Sequence, residues 1–197
     1  MTENTMTRVP ARRSLLSGGG KAILSASAIA LLGGHELLAA KLAHAADPKK
    51  DVQILNTARG LELEGINVYQ IAAESGLVTP DTLKVAVYFQ SQHRDHAETL
   101  AETIRKLGGR PVDPKSKDEY AKVVTAAAPK NEADVLRLAS KLEKGAANAY
   151  LGTIQSLTDP ALSLICARIA ADEVMHFTAL TLTLKEALPP RSMSFGA

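Results

Sequence analysis

Tryptophan is absent, aromatic residues make up only 4% of the 197-residue chain, and cysteine occurs once, as Cys166. A lone thiol excludes a disulfide within the chain, so the fold must rest on packing. No apolar run is long enough for a membrane span: Lys21 and Glu36 enclose fourteen uncharged residues, against the roughly 20 that a bilayer requires. What is present is 46% hydrophobic residues, supplied mainly by alanine and leucine. That composition suits one modest all-α domain and gives no support to a β-rich fold.

The N-terminal region reads as a secretory leader rather than an anchor. It has a basic start, an apolar middle and small residues at Ala43-His44-Ala45. The pair Arg12-Arg13 followed by "SLL" resembles the twin-arginine export signal. The resemblance implies export to the periplasm in a folded state, often with a cofactor already inserted. Residues 1–45 are thus expected to be removed, 46–190 to form the domain, and 191–197 to form a flexible tail. Cleavage after Ala45 would take five of the 23 basic and two of the 21 acidic residues, leaving 18 and 19. A nearly neutral domain argues against a nucleic-acid partner, and a cleaved leader leaves no stable membrane anchor. His35 and His44 go with the leader.

Periodicity and capping residues divide the domain into four long helices. The first runs from Asp47 to Gly76, and the second starts at the Thr79-Pro80 cap and ends at Gly108-Gly109. The third runs from Asn131 to about Leu157, and the fourth from Pro160 to about Leu188, before Pro189-Pro190. Short links make the first and second, and the third and fourth, antiparallel hairpins. The longer connection between hairpins has one short helical stretch near Asp118 to Ala127 and can travel the length of a bundle.

The second hairpin repeats the first. Glu62 precedes Tyr69 by seven residues, and Glu143 precedes Tyr150 by seven. "HRDH" at 93–96 corresponds to "EVMH" at 173–176. Positions three, four and seven apart share a helix face. Glu62 and Tyr69 fall in a stripe with Leu55, Ala58, Gly65, Ile66 and Ala73. His93 and His96 fall with Val85, Phe89, Leu100, Ile104 and Leu107. The other two stripes place Glu143 and Tyr150 among Leu136, Ala139, Ala146 and Ile154, and Glu173 and His176 among Leu162, Ile165, Ile169 and Leu180. Six polar residues therefore interrupt apolar stripes. Counted from the hairpin turns they lie level, near mid-length. Three carboxylates in core positions cost on the order of several kcal/mol each unless paired or metal-bound.

"LELEGINVY", "HRDHAETL", "LEKGAANAY" and "ADEVMHFTAL", taken in order, resemble the ferritin-like superfamily of ferritins, rubrerythrins and manganese catalases, and most closely its exported bacterial ferritin-like domain proteins. The resemblance covers residues 50–187. It implies an antiparallel four-helix bundle with a long crossover between helices 2 and 3, and Glu62, His93, His96, Glu143, Glu173 and His176 as metal ligands. The implied metal is Fe or Mn, with Zn a rival because three histidines suit it. Tyr69 and Tyr150 are expected beside this cofactor, their hydroxyls bonding to carboxylates.

One position departs from the pattern: His93 stands where the family carries a bridging glutamate. A carboxylate joins two metals, whereas a neutral imidazole binds one through a single nitrogen. A single metal, or an asymmetric pair held by Glu173 and solvent, are both open. Alternatively the carboxylates are solvated and paired with Arg59 or Lys144. Asp95 and Asp172 are either partners of the histidines or solvated, Glu64 lies on a flanking face, and Cys166 is a small core residue.

Two functions follow from this set. One is a periplasmic metalloprotein handling oxygen, peroxide or ferrous iron, as an oxidoreductase of the ferroxidase, peroxidase or catalase kind; its partners are a metal ion and a small oxidant. The other is a non-catalytic, stress-related or structural binding protein with a structural metal or none. A homodimer is compatible with both; a storage cage requires outer-face contacts that the sequence does not reveal.

Overall fold

The computed structural model describes residues 47–196. The expected export signal and its cleavage point lie outside the described residues. Five helices are formed: α1 (Pro48–Glu74), α2 (Pro80–Lys106), α3 (Lys117–Ala127), α4 (Glu132–Ile154) and α5 (Pro160–Thr183). Among the described residues there is no strand, and no helix is long and apolar enough to cross a membrane.

Local chemistry sets the helix starts. Asp47, Thr79, Asn131 and Asp159 each accept a hydrogen bond from a first-turn amide, and Pro48, Pro80 and Pro160 occupy the first helical position, where no N–H is needed. Ser116 and Glu119 form a reciprocal capping box at α3. The end of α2 is a Schellman turn: Gly108, at φ 77°, donates to Arg105, and Gly109 donates to Ile104.

α5 is shorter than its periodicity predicts, ending at Thr183 instead of near Leu188. Lys185 takes the left-handed conformation at φ 57°. Its amide donates to Leu182 and that of Glu186 to Thr181. This satisfies the orphan carbonyls five residues early, without a glycine to announce it.

Long-range polar contacts fix the topology. Near the start of α1, buried Asp51 accepts from both the amide and the hydroxyl of Thr158 in the α4–α5 turn. At the other end, Glu132 at the start of α4 accepts from the amide and hydroxyl of Thr79 in the α1–α2 turn. The two hairpin turns therefore sit at opposite ends of the bundle. The connection carrying α3 follows α1 between them: Asn56 pairs with Arg110 and Val112 near one end, and Lys117 reaches Glu74 at the other. Tyr120 anchors this crossover by burial.

The core is divided into two apolar clusters. One is built around Leu55, Leu100, Ile104, Leu162 and Cys166, the other from Tyr69, Phe89, Leu136 and Leu180. The polar residues of the four stripes lie in the layer between them. Val85 departs from its expected core position and is 41% exposed, because it lines an open cavity instead of a packed seam. Beyond α5, Phe195 packs edge-on against Phe177, and the Gly196 amide donates to Asn148.

Candidate metal centre

The six predicted residues Glu62, His93, His96, Glu143, Glu173 and His176 come together, and all are buried. Their donor atoms form two overlapping groups, Glu62, His93, His96, Glu173 and His93, Glu143, Glu173, His176, each within 4.8 Å. Glu173 and His176 are completely excluded from solvent.

The contacts are reciprocal between the hairpins. Tyr69 on α1 donates to Glu143 on α4 at 2.5 Å, and Tyr150 on α4 donates to Glu62 on α1. The seven-residue spacing explains this, since two turns of helix put each tyrosine on the same inward stripe as its own glutamate but level with the other's. Glu62 and Glu143 thereby each have one oxygen held by a hydroxyl. The other oxygen of Glu62 lies 2.8 Å from His93 Nδ1 and 3.4 Å from His96 Nδ1. That of Glu143 lies 3.4 Å from His176 Nδ1.

Outer partners aim the imidazoles. His96 Nε2 is 3.2 Å from Asp172, and His176 Nε2 is 2.5 Å from the Gln92 carbonyl oxygen. An N–H placed on each Nε2 leaves Nδ1 facing the cluster, the atom that a metal would take once its proton is displaced. Asp172 is thus a histidine partner, while Asp95 is exposed. Gln92 had no signal in the periodicity; the need of His176 for a partner on its second nitrogen was the only pointer. Gly65 also acquires a role. A Cβ there would stand 3.2 Å from the His93 ring, so the missing side chain makes room for an imidazole against α1.

Charge pairing with the neighbouring cations is ruled out by geometry. Arg59 donates to the Val112 carbonyl, and Lys144 lies over the Phe177 ring. The carboxylates instead face histidines. Burial opposes charge on His93, but the carboxylates of Glu143 and Glu62 outweigh it and raise its pKa to about 11. Burial likewise opposes charge on His96, which Glu173 and Glu62 raise to about 10. Glu143 is held well below the ordinary range against the effect of burial, by His176 and His93. Glu173 goes the other way, raised by burial together with the nearby carboxylates of Glu143 and Glu62. Burial and then Glu143 push the Tyr69 phenol up, as burial and then Glu62 push Tyr150, so both hydroxyls stay protonated donors. Protons hold the positive charge of this cluster, and a metal ion would enter by displacing them.

The donor set fits a metal. Both oxygens of Glu173 and Nδ1 of His96 are buried without a hydrogen-bond partner among the described residues, although Oε1 and Nδ1 lie only 3.2 Å apart. Orphaned groups of this kind cost about 1–3 kcal/mol each, more when charged. These three atoms lie in the donor groups, where a cation would satisfy them together; a fourth such atom, Arg59 Nε, lies outside them. On the α1–α4 side a cavity of about 590 Å³ reaches the cluster: Gly65, Tyr69, His93 and Glu143 border it, and the rest of its lining is mostly apolar, as at Val68 and Leu142, with Glu64, Asp81 and Lys141 among it.

A four-helix bundle whose mid-layer gathers carboxylates and histidines from all four helices defines the class. The chain belongs to the ferritin-like domain family, which matches residues 50–186. Among solved structures it is similar to a conserved hypothetical protein from Mycobacterium tuberculosis at 18% identity and a TM-score of 0.58, covering 73% of this chain and 96% of that one. It is also similar to a dodecameric thioferritin, the bacterioferritin-related protein of Bacteroides fragilis, at 21% identity and a TM-score of 0.48, covering 73% and 89%. No curated protein matches the chain.

Proposed function

We propose that this protein is an exported ferritin-like metalloprotein that holds iron or manganese in the bundle core and supports redox chemistry on oxygen, peroxide or ferrous iron. The observation carrying this reading is the set of buried, unpartnered donor atoms on Glu173 and His96 within a cluster of three carboxylates and three imidazoles. Mixed oxygen and nitrogen donors suit Fe and Mn, and Zn is the rival that the three histidines admit. Glu62, His93, His96, Glu143, Glu173 and His176 would hold the metal. Bound there, it would supply open coordination positions and the capacity to exchange electrons with a small oxidant.

The remaining residues prepare that site. Tyr69 and Tyr150 orient the carboxylates of Glu143 and Glu62 and keep their own protons. Asp172 and Gln92 hold the outer nitrogens of His96 and His176. The cavity beside Glu143 and His93 is lined mostly by apolar side chains.

Metal analysis of the protein purified from the periplasm tests the proposal: iron or manganese should co-purify, and Glu143→Ala or His176→Ala should lower both metal content and thermal stability. Wild-type protein free of transition metal would sink it. The export step rests on Arg12-Arg13 and the leader that follows. Replacing both arginines with lysine should leave the precursor in the cytoplasm, and normal export of that double variant would exclude the twin-arginine route.

A second reading, a non-catalytic binding or structural protein, is favoured by one contact set. His93 bonds to Glu62 and lies 3.3 Å from Glu143, so these two carboxylates have protein partners without any metal. The same metal analysis separates the two.

A further inference from the structure

We propose that the ring of His93 bridges two metal ions, one on each nitrogen, with Glu173 as the second bridge. This inference rests on the metal-binding reading above and goes beyond it by assigning to His93 the part of a joining residue.

The evidence is which atom of each shared residue faces which donor group. His93 Nδ1 lies 2.8 Å from Glu62 and 3.7 Å from Glu173 Oε1, whereas Nε2 lies 3.3 Å from Glu143. Glu173 divides in the same sense: Oε1 is 3.2 Å from His96 Nδ1, and Oε2 is 3.5 Å from His176 Nδ1. Only His93 and Glu173 belong to both donor groups. Each contributes a different atom to each. What remains is symmetrical, with Glu62 and His96 terminal on one side and Glu143 and His176 on the other.

A ring bonded to a cation through each nitrogen carries no N–H, so its protons leave to solvent as the two ions bind. Gly65 and Tyr69 set the ring's position, the first by leaving space and the second by lying against it at a centroid distance of 5.5 Å.

Cobalt(II) is a suitable probe because its occupancy and magnetism can be read separately. Titrated into metal-free protein, it should reach two ions per chain, with a magnetic moment below that of two isolated ions. His93→Gln, similar in reach but unable to join two metals through a ring, should lose one ion or the coupling; His93→Glu should restore both. A measurement on wild type alone is independent of whether the variants fold. The proton NMR spectrum of the cobalt form should show two exchangeable, paramagnetically shifted ring N–H signals, from His96 and His176. A third such signal, a single bound ion, two uncoupled ions, or unchanged coupling in His93→Gln would overturn the bridge while leaving the metal-binding reading intact. No cobalt bound at neutral pH would remove that reading as well.

Discussion

Tyr150 on α4 donates its hydroxyl hydrogen bond to Glu62 on α1, in the other hairpin. Tyr69 returns the arrangement to Glu143. Each hairpin thus supplies the hydroxyl that steadies the other's carboxylate, and the pair ties α1 to α4 beside the open cavity, where direct packing between them is sparse.

Removing either hydroxyl should loosen that tie. Tyr150→Phe and Tyr69→Phe each lose a bond to an ionised acceptor, worth about 1.5–3 kcal/mol. Urea denaturation of the metal-free protein should show both losses. Unchanged midpoints would mean that the hydroxyls contribute nothing to the bundle.

Two glycines on the same helix should respond with opposite sign. At Gly60 an added Cβ meets nothing within 4 Å, so Gly60→Ala should stabilise by about 0.5–1 kcal/mol through helix propensity. At Gly65 the Cβ crowds the His93 ring, and Gly65→Ala should destabilise by about 1–3 kcal/mol and lower metal content. A gain in stability at both positions would show that His93 moves aside freely.

The outer partners of the histidines should matter to metal more than to folding. Gln92→Ala frees Nε2 of His176 and Asp172→Ala frees that of His96; either should weaken metal binding about 10–100-fold. Competition against a chelator of known affinity measures this. Affinities equal to wild type would place these residues outside the site.

Cys166 should be inert in the folded protein. Burial raises its thiol pKa to about 11 from an ordinary 9.0. A raised value favours the protonated thiol in the fold, so its contribution to stability is complete below pH 9 and is lost as pH rises through 11. Alkylation by iodoacetamide at pH 8 should be absent in native protein and complete in denaturant. Rapid labelling of native protein would show that this end of the core opens.

The four long helices are readable from the sequence because their caps are local and their apolar faces periodic. The six clustered residues are readable because each breaks such a face. Legibility fails where the determinant is distant. Asp51 looks like any first-turn acid until Thr158, 107 residues away, is placed beside it. Gln92 lies on a flank whose partner, His176, is 84 residues off. The end of α5 is not legible, because a left-handed lysine carries no signature. Val85 sits on a correct stripe, but periodicity cannot tell that two helices stand apart and leave the face uncovered.

The closeness of Gly65 to His93 links two positions on different helices into one unit of sequence change. With alanine at 65, the imidazole at 93 is crowded and must shift. In the second hairpin the repeat places Ala146 and Glu173 at the corresponding positions. An interchange of histidine and glutamate at 93 is therefore best tolerated as a double substitution, with the helix residue three beyond Glu62 changing alongside it.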